Sequence, residues 1–472
     1  MIIRMILPQI RGRYNSHSIP LPPARMPDPD QQATQPPEGD IYDVLIIGGG
    51  PAGSTMGAFL AMRGHRVVLL EKDHHPRFHI GESLLPMNIP IFDRLGVREE
   101  IEAIGQYKSG AEFNAPGRDP VRYHFREAMR NSPPHAWQVR RSEFDNVLLR
   151  NGQRKGVEVR EGVRARDVRF PDSGPVEIEA TDEAGHALTF RARFLVDASG
   201  RDTFLADRFS TKQRNPAHNS AAVFGDFAGV TRREGDDAGI ISMYWFDHGW
   251  YWMIPLQDGA MSIGAVCWPY YLKSRKKPVD EFLLDTLRMN PLLWERVKHA
   301  RLLAPAQATG NFSYQSDRMS GERHLIIGDA FAFIDPIFST GVFLAMNGAE
   351  RGVELVEEFL CDGRISAASR RRYENVTNKS LKTFSWFIYR ITTPAMRRLF
   401  MGPRDFLGLR RGMVSFLAAD VHGRTPIRFP LFVFKLIYFV TSAQLWRETL
   451  AWRKAYRRAF DTRLEYVWKS GA

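Results

Sequence analysis

The sequence has little cysteine and no long apolar run, and each absence limits what the protein can be. Its 472 residues include two cysteines, Cys267 and Cys361, too few for a disulfide framework or a CxxC metal site. We therefore expect no metal, and a reducing cytoplasm is the expected location. The most apolar stretch, residues 431–446, is shorter than the roughly 20 residues that cross a membrane.

The sequence also lacks a basic helix-turn-helix or zinc-finger pattern, although its net charge is +12. Net charge alone indicates nonspecific attraction to anions, so we expect no nucleic-acid partner. The hydrophobic content of 44% and the charged content of 25% are ordinary for a globular protein. The length favours about two or three domains.

Composition divides the chain into three parts. Residues 1–40 are rich in proline and glutamine and predict a disordered extension. Residues 41–384 alternate strand and helix patterns, with strand-like runs at 210–275 that predict an antiparallel sheet. Residues 385–472 are basic and aromatic and predict a helical C-terminal region.

The apolar stretch 431–446 leaves two alternatives open. Pro430 precedes it and Lys435 interrupts it, as in a buried helix of the C-terminal region. Its flanking arginines, Arg428 and Arg447, also suit a helix that lies on a membrane surface.

A glycine-rich turn follows the first predicted strand, residues 43–47, and opens a predicted helix. The turn contains Gly48, Gly50, Ala52 and Gly53. Its three fingerprint glycines permit a tight turn, a close approach of the backbone to a pyrophosphate, and tight helix packing. Glu71 ends the next strand, where a carboxylate can bind ribose hydroxyls. The pattern predicts a dinucleotide site for FAD or NAD.

Two further segments resemble the aromatic-hydroxylase-like FAD-binding fold. They are Asp197-Ala198-Ser199-Gly200-Arg201 and Gly328-Asp329-Ala330. The resemblance implies that Asp197, Asp329 and Arg141 contact FAD, with Asp329 on the ribityl chain. Because the chain has one dinucleotide fingerprint, we expect a separate flavin reductase to supply reduced FAD.

Three more segments resemble the flavin-dependent halogenases. They are Gly81-Glu82-Ser83-Leu84-Leu85-Pro86, Trp250-Tyr251-Trp252-Met253-Ile254-Pro255, and Phe333-Ile334-Asp335-Pro336-Ile337-Phe338-Ser339-Thr340-Gly341. The resemblance implies that Glu82, Ser83 and Gly341 bind the cofactor. It also implies a barrier between flavin and substrate, formed by Trp250, Trp252, Pro255, Phe333, Pro336 and Ser339.

The same resemblance implies the chemistry. Reduced FAD and O2 would oxidise chloride or bromide to hypohalous acid, with the halide held by the backbone N–H groups of Thr340 and Gly341. Lys108 resembles the essential lysine of the family. A desolvated lysine can hydrogen-bond hypohalous acid, or become a haloamine if its pKa falls far enough.

The resemblance covers about residues 40–350 and implies an α/β, Rossmann-like FAD-binding fold with an antiparallel substrate sheet. Tryptophan halogenases have a glutamate directly before the Ser-Thr-Gly stretch, where this chain has Phe338. We therefore predict the branch that acts on phenols and pyrroles, with the ring free or tethered to a carrier protein. The alternative is a flavin-dependent monooxygenase or a polyprenyl-type reductase on the same fold.

Overall fold

The computed structural model describes residues 41–129, 131–215, 218–310, 313–402, 405–422 and 425–460. The predicted N-terminal extension and the end of the predicted C-terminal region lie outside the described residues.

Strands form from the short, β-branched and aromatic runs of the sequence. They are β1 (Ile41–Ile47), β2 (Val67–Leu70), β3 (Gly105–Lys108), β4 (Gly110–Asn114), β5 (Val121–His124), β6 (Ala136–Val139), β7 (Glu158–Arg160), β8 (Arg164–Arg169), β9 (Val176–Thr181), β10 (Ala187–Asp197), β11 (Lys212–Arg214), β12 (Ala221–Ala228), β13 (Ile241–Phe246), β14 (Gly249–Pro255), β15 (Met261–Cys267), β16 (Arg301–Leu302), β17 (Gln307–Gly310), β18 (Tyr314–Ser316), β19 (His324–Ile326) and β20 (Ala332–Phe333).

Helices alternate with these strands and then dominate the C-terminal part. They are α1 (Pro51–Ala61), α2 (Ile89–Leu95), α3 (Arg98–Ile104), α4 (Arg141–Arg154), α5 (Phe204–Arg208), α6 (Pro269–Lys273), α7 (Val279–Arg288), α8 (Pro291–Val297), α9 (Thr340–Asp362), α10 (Ala367–Ile388), α11 (Pro394–Phe400), α12 (Leu409–Leu417), α13 (Arg428–Gln444) and α14 (Trp446–Phe460).

The first sheet is parallel at its centre, in the order β7-β2-β1-β10, with β19 also on β10. Its central strands are almost wholly buried, as expected for a parallel sheet covered on both faces. Helix α1 packs against α4 and α9. Because the carboxyl ends of parallel strands meet at one edge, the segments after β1, β2, β10 and β19 come together there.

The second sheet has eight strands, in the order β16-β12-β15-β14-β13-β4-β5, with β17 on β12. Strands β12 to β15 come from the range predicted to form an antiparallel sheet, and they pair in that way. The sheet is larger than predicted, and β13 pairs with β4 in parallel. Strands β4, β5, β16 and β17 were not part of the predicted range.

Strand β14 is buried along its whole length, and its two faces enter different cores. Trp250, Trp252 and Ile254 join the main core beside the first sheet. Tyr251 and Met253 join a second core with side chains of α7 and α8. This alternation of side chains along a strand directs both tryptophans toward the same side.

The C-terminal helices close the end of the second sheet. The ring of Phe400, on α11, lies 4.8 Å from that of Phe113, and the Tyr123 hydroxyl donates to the Phe400 carbonyl at 2.9 Å. Arg410, on α12, pairs with Glu127. The predicted boundary between residues 384 and 385 falls inside α10, and the division at that point stays a prediction.

Candidate flavin site and the lysine behind it

A cavity of about 370 Å³ lies at the carboxyl edge of the parallel sheet. Its walls come from the glycine-rich turn, the segments after β10 and β19, and the tryptophan face of β14. Most of the predicted site residues line it: Gly48, Gly50, Ala52, Glu71, Glu82, Ser83, Arg141, Trp250, Trp252, Asp329, Phe333, Pro336, Ser339 and Gly341.

Two glycines of the turn act through close backbone packing. Gly48 has φ +102°, and a Cβ there would lie 2.4 Å from the Ala198 carbonyl oxygen. A Cβ on Gly53, which does not line the cavity, would lie 1.9 Å from the Gly48 carbonyl oxygen. By contrast, a Cβ on Gly50 would meet only Arg77 Nη2, at 3.9 Å. The backbone at Gly50 is therefore open toward the cavity, beside the start of α1.

Glu71 is an ionised carboxylate at the end of β2. Its Oε2 accepts from the Gly49 N–H at 2.6 Å, and its Oε1 accepts from the Asp73 N–H at 3.0 Å. Burial works against the charge, but the neighbouring His75, the Arg77 guanidinium and these N–H groups hold the pKa of Glu71 at about 2. The carboxylate thus fixes the turn that follows β1 and lines the cavity as a hydrogen-bond acceptor.

Asp197, which the resemblance predicts to contact FAD, directs both carboxylate oxygens to backbone N–H groups of the loop that follows β10. Its Oδ1 accepts from the Ser199 N–H at 2.9 Å, and its Oδ2 accepts from the Leu205 N–H at 2.7 Å. Asp197 is fully buried and does not line the cavity. It shapes the loop whose residues 198–202 do line it.

Two arginines, Arg141 and Arg201, lie near enough to Asp329 to act on its charge. Arg141 forms a two-bond pair with Asp145, at 2.8 and 3.0 Å, and donates to the Ile80 carbonyl at 2.9 Å. Burial raises the pKa of Asp329 to about 6, although Arg141 and Arg201 oppose this. Arg77 and Arg201 also line the cavity. Neither was among the predicted site residues, because nothing in their local sequence distinguishes them from surface arginines.

The two indoles form a continuous aromatic wall. The rings of Trp250 and Trp252 lie 6.0 Å apart, and Phe224 lies 6.0 Å from Trp252. Gly264, on β15, is the cross-strand partner of Trp252 on β14. A Cβ on Gly264 would lie 2.3 Å from Cη2 and Cζ2 of the indole. Gly264 therefore makes the space that the Trp252 ring occupies, a role that sequence reasoning missed.

A chain of hydrogen bonds connects this wall to residues 81–86, the segment that resembles the flavin strap of the halogenases and is called the strap below. Trp252 Nε1 donates to Ser262 Oγ at 3.2 Å, and Ser262 Oγ donates to Glu82 Oε1 at 3.2 Å. Burial raises the pKa of Glu82. Pro255 does not line the cavity. Side chains alternate along a strand, so Pro255 lies on the face of β14 opposite to Trp250 and Trp252.

Lys108 lies behind the strap and not on the cavity wall. Its side chain is buried, and its Nζ donates to Ser83 Oγ and to the Leu84 carbonyl, both at 2.8 Å. Burial lowers the pKa of this lysine to about 7. Since Ser83 itself lines the cavity, a single side chain separates the amine from it.

The segment predicted to hold the halide forms a strained entry into α9. Ser339 has φ +55°, and the Asp335 side chain accepts from the Ile337 N–H at 3.1 Å. Helix α9 begins at Thr340, and the N–H groups of a first helical turn have no acceptor within the helix. Ser339 and Gly341 line the cavity, whereas the Thr340 side chain is buried away from it.

These residues fit FAD, since an open glycine backbone at a helix start suits a pyrophosphate and Glu71 suits a ribose. The model of the FAD binding domain family matches residues 41–356. A tryptophan 2-halogenase of Chondromyces crocatus is 36% identical over 70% of this chain and 63% of its own length. A 1H-pyrrole-2-carbonyl-[peptidyl-carrier protein] brominase of Pseudoalteromonas luteoviolacea is 34% identical, over 67% of this chain and 77% of its own.

The chain belongs to the flavin-dependent halogenase family.

Among solved structures, a flavoprotein/dehydrogenase of Cytophaga hutchinsonii is similar to this family member with a TM-score of 0.80 and 26% identity, over 86% of this chain and 100% of the other. The predicted halogenase family, the α/β FAD-binding fold and FAD as cofactor are thereby confirmed. A tryptophan halogenase and a pyrrolyl brominase both match the chain, so the substrate branch stays a prediction.

Proposed function

We propose that the protein uses reduced FAD, O2 and chloride or bromide to halogenate an electron-rich aromatic ring through Lys108. The observation that carries this proposal is a separation within the fold. Trp250 and Trp252 line the cavity proposed for the flavin, and the buried Lys108 amine lies on the other side of the strap, bonded to Ser83. A small oxidant can use such an arrangement, whereas direct transfer of oxygen needs the ring beside the flavin.

When bound, reduced FAD supplies the electrons with which O2 oxidises the halide to hypohalous acid. The halide for this step would bind at the start of α9, where Ser339 and Gly341 line the cavity, through the backbone N–H groups of Thr340 and Gly341. Anions are favoured at a helix N-terminus because its N–H groups carry partial positive charge.

Lys108 then holds the oxidant near the ring. With a pKa of about 7, about half of its amine is neutral at neutral pH. The protonated form would donate a hydrogen bond to hypohalous acid. The neutral form would take the halogen, forming an N–halogen bond and releasing water, and the ring would later take the halogen and lose a proton.

The residue before the Ser339-Thr340-Gly341 stretch favours a substrate whose own electron-rich ring assists the loss of the ring proton after halogenation. Phe338 is buried, with its ring 6.2 Å from that of Phe400 and 5.4 Å from that of Phe416. A carboxylate is absent from this position, so phenol- or pyrrole-like rings are the proposed substrates. The brominase relative acts on a carrier-bound pyrrole by its name, and both free and carrier-bound rings are proposed here.

We further propose that a separate flavin reductase provides reduced FAD, and that the protein works in the cytoplasm. The second candidate is a reductase or monooxygenase, because a flavoprotein/dehydrogenase has a very similar structure. Its substrate would need access to the flavin past the wall formed by Trp250 and Trp252.

One assay separates the two functions. The protein is mixed with FAD, a general flavin reductase, a nicotinamide cofactor, bromide or chloride, and a panel of free and carrier-bound phenols and pyrroles. A halogen isotope pattern in the product mass spectrum is expected. A hydroxylated or hydrogenated product without halogen would favour the second candidate.

A further inference from the structure

Helix α13 is apolar on two opposite faces. One face packs into the protein through Leu431, Phe434 and Tyr438, which are buried. The opposite face is an exposed stripe whose members are each between 50% and 59% exposed: Phe429, Phe432, Leu436, Phe439 and Val440. Their spacing places them along one side of the helix, and a contiguous exposed apolar patch of this kind indicates a binding surface.

Helix α13 itself carries cations and no acid, and Glu448 lies beyond it in the first turn of α14. Helix α13 carries Arg428 and Lys435 and has no aspartate or glutamate. A cavity of about 330 Å³ between α10 and α13 is lined by Asn375, Asn378, Lys379, Lys382, Thr383 and Lys435. Three lysines therefore line this one cavity between α10 and α13, and its lining contains no carboxylate.

Tryptophans with cations over their rings mark the edges of the stripe. Trp386 lies 6.3 Å from Phe439, and both Arg390 and Lys435 stand over its ring, at 4.7 and 5.0 Å. At the start of α14, Arg447 stands 5.2 Å from the centre of the half-exposed Trp446 ring. Amphipathic aromatic rings with basic neighbours are typical of the boundary between lipid headgroups and acyl chains.

We propose that this surface, the α13 stripe with the lysines of α10, docks on an anionic phospholipid membrane. The apolar side chains enter the acyl boundary and the ammonium groups meet the phosphates. Among the described residues, no single helix is long and apolar enough to cross a bilayer. Helices α13 and α14 reach that length and composition only together, and they bend by 93° at the break between them. In the proposed arrangement the helix lies in the plane of the membrane, with the exposed stripe toward the acyl chains. The positive net charge of +12 adds long-range attraction to the same surface.

Vesicle flotation of the full chain loaded with FAD tests this proposal. The protein is expected to float with vesicles of phosphatidylcholine and phosphatidylglycerol, less with phosphatidylcholine alone, and less as salt rises. Replacing Phe432 and Phe439 by alanine is expected to lower the partition coefficient about tenfold or more. Replacing Lys379 and Lys382 by glutamine is expected to lower it about tenfold at low salt.

Matched variants keep the test specific. Leu292→Ala and Leu303→Ala remove exposed leucines elsewhere and should leave partitioning unchanged. The proposal falls if the wild type does not float with acidic vesicles, or if the Phe432/Phe439 variant floats equally well. It also falls if the stripe instead supports a stable dimer, or retains an acidic carrier protein while vesicles stay unbound. Vesicle binding that appears only after deletion of residues 461–472 would make that segment the occupant and overturn the proposal for the full chain.

Discussion

Gly264→Ala is predicted to disturb the indole wall without touching any proposed cofactor contact. The new methyl group would lie 2.3 Å from two carbons of the Trp252 ring and 2.6 Å from Phe224 Cβ, whereas carbon atoms normally pack at about 3.5–4 Å. The ring must therefore move by about 1 Å, which strains its 3.2 Å hydrogen bond to Ser262. Overpacking of this kind costs about 1–3 kcal/mol.

The assay follows two quantities, the melting temperature and the amount of halogenated product per reduced FAD consumed. We expect Gly264→Ala to lower both, because a displaced indole opens or blocks the route of the oxidant while flavin oxidation continues. Gly310→Ala is the matched control on the same sheet, since its Cβ would have no heavy atom within 4 Å. If both variants have the same melting temperature and the same yield of halogenated product per reduced FAD, Gly264 does not make the space for Trp252 that we describe.

Four further predictions concern Lys108 and Glu71. Lys108→Ala and the size-matched Lys108→Met should lower halogenation about 100-fold or more, while FAD binding and flavin oxidation persist; full activity would remove the lysine from the mechanism. Halogenation by the wild type should rise with pH through about 7 if the neutral amine takes the halogen, and a rate–pH profile without this limb would contradict that route. Because the pKa of Lys108 is about 7 in the folded chain and 10.5 ordinarily, the unfolded chain binds more protons than the folded chain between those pH values. Lys108 therefore makes the free energy of unfolding rise with pH across that window. Lys108→Met should weaken this rise, as measured by denaturant titrations at several pH values. Glu71→Gln should weaken FAD binding about tenfold or more, because a charged acceptor is lost, and unchanged affinity in a fluorescence titration would show that Glu71 only fixes the turn.

Most of the predicted cofactor residues line one cavity, because the sequence signals that select them are local. The glycine-rich turn requires backbone approaches that only glycine permits, and the strand that ends at Glu71 is a continuous buried run. Such patterns fix a β-α-β unit before any tertiary contact is known. The alternation along β14 also follows from strand geometry, and it explains why Trp250 and Trp252 share one face while Pro255 does not.

The remainder depends on contacts between distant segments. Gly264 matters only because β15 pairs with β14 in a register that no local pattern fixes. Asp197 is an acid at the end of a strand, as a ribose ligand would be, but the following loop uses both of its carboxylate oxygens. The two faces of α13 could not be assigned from hydropathy, because apolar residues occupy both.

In the proposed reaction a diffusing halogen oxidant, and not oxygen transferred from the flavin, modifies the ring. Running the reaction with bromide under ¹⁸O2 tests it directly by product mass spectrometry. The expected product carries bromine and no ¹⁸O, because both oxygen atoms of O2 leave the cycle as water. A ring that carries ¹⁸O and no bromine would contradict it.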